Sequence, residues 1–113
     1  MGADLYRKTF ENSTGYYRDS YNMYSVIRPL GLSWWRDVIP MLDKDGYLSV
    51  EREKELLGIV ESAFESFVDD ADTNQELKIY TKEYTKYIKK NIKELISFLK
   101  ESIKRGEAIA CSL

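Results

Sequence analysis

From Ser49 to Ile103 the apolar residues return every three or four positions, and a chain with that rhythm over nearly half its length is committed to helices. Leu56, Leu57, Val60, Ala63, Phe64, Phe67 and Val68 form the first stripe and predict a helix over 49–70. Ser49 caps it, with Glu51, Glu53 and Glu55 in the first turns, where the helix dipole favours acids. Asp69 to Asn74 reads as a polar turn in which Asp72 or Asn74 caps the next helix. Leu77, Tyr80, Tyr84, Tyr87, Ile88, Ile92, Leu95, Ile96, Leu99 and Ile103 form the second stripe and predict a helix over 75–104. It closes on the basic Arg105 and a Gly106 stop. Such a helix is about 45 Å long. It outruns its partner, so one end overhangs or packs on the N-terminal part. Apolar surface left over there predicts closure against a second copy as a two-fold dimer.

The first half is broken. Asn12 to Gly15 reads as a loop, and a helix over 20–30 is capped by Asp19 or Ser20 and ended by Pro29-Leu30-Gly31. Ser33 caps a second short helix to Leu42, with Pro40 distorting its last turn. Asp43-Lys44-Asp45-Gly46 is a turn. The two ends, Ala3–Thr9 and Ala108–Leu113, are short and suited to pairing as strands. The expected fold is therefore all-α, a single helical domain over 1–113. A long antiparallel helix pair carries two short N-terminal helices across one end, with strand pairing of the two termini as an optional addition.

At 113 residues the chain has the size of one domain. One cysteine, Cys111, excludes an internal disulfide and a cysteine zinc cage, and the lack of histidine removes the commonest base and metal ligand. Asp43 to Leu48 looks like part of a calcium loop, but with Gly46 at the sixth position the first and twelfth fall on Met41 and Arg52, which cannot ligate. Asp69, Asp70 and Asp72 read as a solvated turn. No metal or cofactor is expected. Without a histidine, a cysteine motif or a glycine-rich phosphate loop, catalysis is not expected either. No apolar run approaches the roughly 20 residues of a membrane span, and MGADLYRKTF has no signal-peptide core. A cytoplasmic location follows, in which the Asn12-Ser13-Thr14 sequon is chance.

The net charge of −2 hides segregation: residues 37–72 carry a balance of −8 and residues 73–105 one of +5. Two neighbouring helices of opposite charge explain this, and a basic helix facing an anionic partner is the other explanation. A duplex-binding protein would be basic overall. A pI near 5.2 argues against that.

The segment Gly15 to Arg36 carries six aromatics, and its basic residues are all arginine. Arginine stacks on rings and grips phosphate or carboxylate with a flat fork. On a 20–30 helix, Met23, Val26, Ile27 and Leu30 form the core face and Tyr21, Tyr24 and Arg28 lie opposite. A simple surface helix needs no second aromatic face. Either that face packs under Tyr16 and Tyr17, or it is the wall of a pocket. The pocket residues would be Tyr16, Tyr17, Arg18, Asp19, Tyr21, Asn22, Tyr24, Arg28, Trp35 and Arg36. Asp19 and Asn22 would orient the arginines or read ligand donors. Trp34, Trp35, Val38, Ile39 and Leu42 share a core-type face from which Arg36 points away.

Met1 to Tyr6 reads MGADLY, residues 15–22 read GYYRDSYN, 32–35 read LSWW, and the last three residues read CSL. In this order they resemble a family of small, uncharacterised bacterial and phage helical proteins with MGADLY, GYFRDSYN, LSWW and C-terminal CSL motifs. The chain departs from them between Phe10 and Gly15, where longer members carry a helical insertion. The resemblance implies shape and motif, with no activity attached. A small bacterial or phage protein with an Arg–aromatic pocket suits non-catalytic binding. The expected partner is a phosphorylated small molecule, as when phage anti-defence proteins sequester a nucleotide-like signal. The alternative is an inhibitor or adaptor that binds a host protein through the same surface.

Overall fold

The structure, a computed structural model, describes residues 2–7, 15–20, 25–73 and 82–113. Strand β1 (Gly2–Arg7) alternates strictly: Ala3, Leu5 and Arg7 point inward, Asp4 and Tyr6 outward. Strand β2 (Tyr16–Ser20) pairs with it antiparallel, setting Leu5 opposite Tyr17 and Asp4 opposite Arg18. Strand β3 (Tyr47–Leu48) is followed by helix α1 (Val50–Thr73), helix α2 (Lys82–Arg105) and strand β4 (Ile109–Ser112). Strand β4 lies between β1 and β3, antiparallel to both, so the sheet order is β2-β1-β4-β3.

A four-stranded antiparallel sheet replaces the all-α architecture: the fold is mixed α/β. The two ends do pair, Leu5 opposite Cys111 and Arg7 opposite Ile109, but as the two central strands of a larger sheet. Residues 16–20 are a strand because their inward positions, Tyr17 and Asp19, find partners beneath the sheet. Of the helix expected over 20–30, Ser20 ends β2 and residues 25–30 form a bend and a short 3-10 turn, Arg28–Leu30, while 21–24 lie outside the described residues. Pro29 has no N–H to continue a helical ladder, and the Asp19 carboxylate holds the N–H of Val26 at 2.8 Å. In place of a helix over 33–42, Trp34–Val38 forms one π turn and Ile39–Met41 one 3-10 turn. Pro40 cannot donate to the carbonyl four residues back, so regular α geometry stops there.

The two long helices follow from local rules. Ser49 caps α1, its Oγ accepting from the N–H of Arg52 at 3.3 Å. Asp43 Oδ1 accepts from the N–H groups of Asp45 and Tyr47, both at 2.9 Å, which closes the turn into β3. Gly106 ends α2 with φ 65°. In that left-handed conformation the N–H of Glu107 reaches back to Ser102 at 3.0 Å. Residues 74–81, outside the described segments, are too few to return along a 36 Å helix of 24 residues, so α1 and α2 are antiparallel. Lys100 meets Glu61 across them at 3.8 Å. Leu56 and Val60 of α1, Ile88, Ile92, Leu95 and Leu99 of α2, and Leu5, Leu48 and Ile109 of the sheet make one core. No helix among the described residues is long and apolar enough to cross a membrane.

Candidate functional site

Asp19 organises the region that carries the arginines and tryptophans. It points inward from β2, is 3% exposed, and accepts three hydrogen bonds: from Ser25 Oγ at 3.0 Å, Val26 N–H at 2.8 Å and Trp34 Nε1 at 2.7 Å. These bonds tie residues 25–34 to the sheet. With Trp34 drawn inward to 2% exposure, the next residue in the tight π turn is turned out, and Trp35 is 57% exposed.

A cleft of about 530 Å³ opens beside this knot, lined by Ser25, Arg28, Leu32, Trp34, Trp35 and Arg36 among others. The Arg28 guanidinium has no ion-pair or hydrogen-bond partner among the described residues. Arg36 is already engaged. Its Nε and Nη2 bond the two oxygens of Asp37 at 3.2 and 2.8 Å, and Nη2 also reaches the carbonyl of Gly31 at 2.7 Å. The bonds from Arg36 and the Ser33 N–H hold the Asp37 carboxyl below its usual range. The cleft therefore has one arginine fixed as wall and one arginine ready for an anion.

Of the ten residues expected to form one pocket, Arg28, Trp35 and Arg36 come together here. Tyr16 and Tyr17 line a separate cleft between β2 and α2. Tyr17 is buried against Phe98, ring centroids 6.1 Å apart. Its hydroxyl has no hydrogen-bond partner among the described residues, and burial pushes its pKa up. Tyr16 packs against Tyr6, ring centroids 4.9 Å apart and tilted by 32°, and donates its hydroxyl to Asp4. Arg18 stands exposed on the outer face of the sheet, 3.8 Å from Asp4 Oδ1. Asp19 orients no arginine in the described structure; its bonds go to Ser25, Val26 and Trp34. Tyr21, Asn22 and Tyr24 lie outside the described residues.

A second polar cluster sits under the sheet, and sequence reasoning assigned it no role. Arg7 is buried and donates from Nε to Ser102 Oγ at 2.9 Å, with its guanidinium 4.7 Å over the Phe98 ring. Ser102 in turn donates to the carbonyl of Phe98 at 2.8 Å. Glu53 is fully buried, and neither of its carboxylate oxygens has a hydrogen-bond partner among the described residues. Burial pushes its pKa up to about 8, against the attraction of Arg7 and with a further push from Glu107. Cys111 is pushed up to about 12, mainly by burial and also by Glu53. The clue was in the sequence: Glu53, Leu56, Leu57 and Val60 share the 3–4 spacing, so an acid lies on the apolar stripe. No group of three or more acidic, cysteine or histidine side chains placed to hold a metal occurs among the described residues.

No family model matches the chain, and neither does any curated protein or solved structure.

Proposed function

We propose that this protein is a non-catalytic binder that sequesters a planar, phosphorylated small molecule of nucleotide type in the cleft between Arg28 and Trp35. One observation carries the reading: a tryptophan 57% exposed shares a cleft with an arginine that has no partner among the described residues. Exposing an indole has a solvation cost that stacking on a planar ligand relieves. An unpaired guanidinium offers two parallel donors to a phosphate. The Asp19 knot holds the wall rigid, so little ordering cost falls on binding. Thermal-shift screening of linear and cyclic nucleotides, followed by calorimetry, tests the proposal. Arg28→Ala is expected to weaken binding by about 1.5–3 kcal/mol, the scale of a charge-assisted bond. Arg28→Lys restores only part, because an ammonium lacks the fork. If no nucleotide raises the melting temperature, the reading falls.

The same exposed Trp35, flanked by Arg28 and Arg36, has the composition of a protein-binding hot spot. It supports a second reading, an inhibitor or adaptor that docks on a host protein. Native mass spectrometry of protein taken from its natural host separates the two. A bound phosphorylated molecule supports the first, and a stable protein complex lost on Trp35→Ala supports the second.

A further inference from the structure

The cleft of about 680 Å³ between β2 and α2 is independent of the Arg28–Trp35 site. Its lining includes Tyr16 and Tyr17 of β2, Arg7 of β1, and Lys90, Lys93 and Phe98 of α2. The two tyrosines decide where it runs. They are neighbours in a strand, so their side chains point to opposite faces of the sheet. Tyr17 faces α2 and Tyr16 faces away from it. The cleft lies against the border of the sheet at the start of β2, beside α2. That border belongs to an edge strand: β2 pairs with β1 on one side, and no strand among the described residues pairs with its other side. A strand edge that no described strand pairs, lying beside a helix, is the arrangement that accepts an added strand.

Charge selects the occupant. Lys86, Lys90 and Lys93 are exposed on one flank of α2, and none has an ion-pair or hydrogen-bond partner among the described residues. Glu101 in the same wall is tied to Arg105 at 2.9 Å, which leaves Glu94 as the opposing acid. The wall is thus net basic in a protein of net charge −2. We infer that this groove binds an extended acidic peptide of a partner protein, added as a strand to the edge of β2, with alternate carboxylates on Lys90 and Lys93. The intervening side chains lie toward Tyr16 and Phe98. Backbone bonds to β2 supply affinity, and the lysines supply the preference for acid.

The test uses the full chain, labelled with nitrogen-15, and three synthetic peptides: (Glu-Val)4, (Lys-Val)4, and (Glu-Val)4 N-methylated at every residue. Binding of (Glu-Val)4 at least tenfold tighter than of either control is expected, together with new exchange protection of amides in Tyr16–Ser20. A Lys90→Glu, Lys93→Glu double variant, altered only on an exposed helix flank, should lose at least tenfold for (Glu-Val)4 and gain for (Lys-Val)4. Arg28→Ala should leave all of this unchanged. The proposal is overturned if no peptide binds at millimolar concentration, or if N-methylation makes no difference. It is also overturned if the double variant binds (Glu-Val)4 as well as the parent does, or if the protected amides lie outside β2. Concentration-dependent protection of β2 in the protein alone would assign the edge to a second copy instead.

Discussion

Among the described residues two carboxylates are buried, and they are opposites. Asp19 lies under β2 with three donors around it, from Ser25, Val26 and Trp34. Glu53 lies under the same sheet, on α1, with no hydrogen-bond donor for either oxygen among the described residues. A buried acceptor whose lone pairs are used pins the chain that supplies the donors. A buried carboxyl without donors is expensive as an anion and takes up a proton instead. Asp19 is therefore a structural staple, and Glu53 is a liability that grows with pH. The difference between burial with donors and burial without them decides whether an acid stabilises this fold or loads it.

The largest effect is expected at the staple. Asp19→Ala would strand three donors, one of them the Trp34 indole, in a dry site. At about 1–3 kcal/mol for each buried group left unsatisfied, with some relaxation toward water, the loss should be about 3–5 kcal/mol by urea unfolding. A loss under 1 kcal/mol would mean that the three bonds are not what holds residues 25–34.

The second effect is expected at Glu53 and depends on pH. Its folded pKa is raised to about 8 from an ordinary 4.5. Between those values the folded state binds more protons than the unfolded one, so stability falls as pH rises from 4.5 through about 8. The contribution is fully present below the unfolded value, and the fall is about 1.4 kcal/mol per pH unit inside the window. Urea midpoints at pH 5 and pH 8 measure the slope, and Glu53→Gln should flatten it. An unchanged slope in Glu53→Gln would assign the pH dependence to other groups.

A smaller effect separates the supports of the Glu53 pocket. Ser102→Ala removes the acceptor at 2.9 Å from Arg7 Nε while keeping the Phe98 contact. It should cost about 1–3 kcal/mol, the range for a buried group deprived of one bond. No loss would show that the bond to Ser102 is not what holds Arg7 in place.

The smallest effect is expected at the exposed tryptophan. Trp35→Ala should change stability by less than about 0.5 kcal/mol, as surface substitutions do, because Trp35 is 57% exposed while the buried Trp34 takes the Asp19 bond. Its loss should appear in ligand binding instead. A large fall in stability would place Trp35 in the framework and remove it from the site.

The sequence by itself determined the existence of two long helices, the α1 cap at Ser49, the Gly106 stop and the depth of Leu95 and Leu99, though α1 runs on to Thr73 through residues read as a polar turn. Those features rest on a 3.6-residue repeat and on capping groups within a few residues, so they are written locally. It named Arg28, Trp35 and Arg36 as binding candidates by residue type alone; it also set Trp35 on a core-type face, and the tertiary structure turned that residue outward. Only the tertiary structure decided that residues 16–20 form a strand. Asp19 is an inward position disguised as a polar one, and its meaning depends on donors six, seven and fifteen residues away. The sheet depends on partners still further off: Leu5 lies opposite Cys111, a pairing that no local period announces. Tertiary structure likewise divided the expected single pocket in two, since Tyr16 and Tyr17 went into a strand against α2 while Arg28, Trp35 and Arg36 sit in the turns that follow. Glu53 stood in plain view on the α1 stripe, but its environment was decided by Arg7 and Glu107 from opposite ends of the chain.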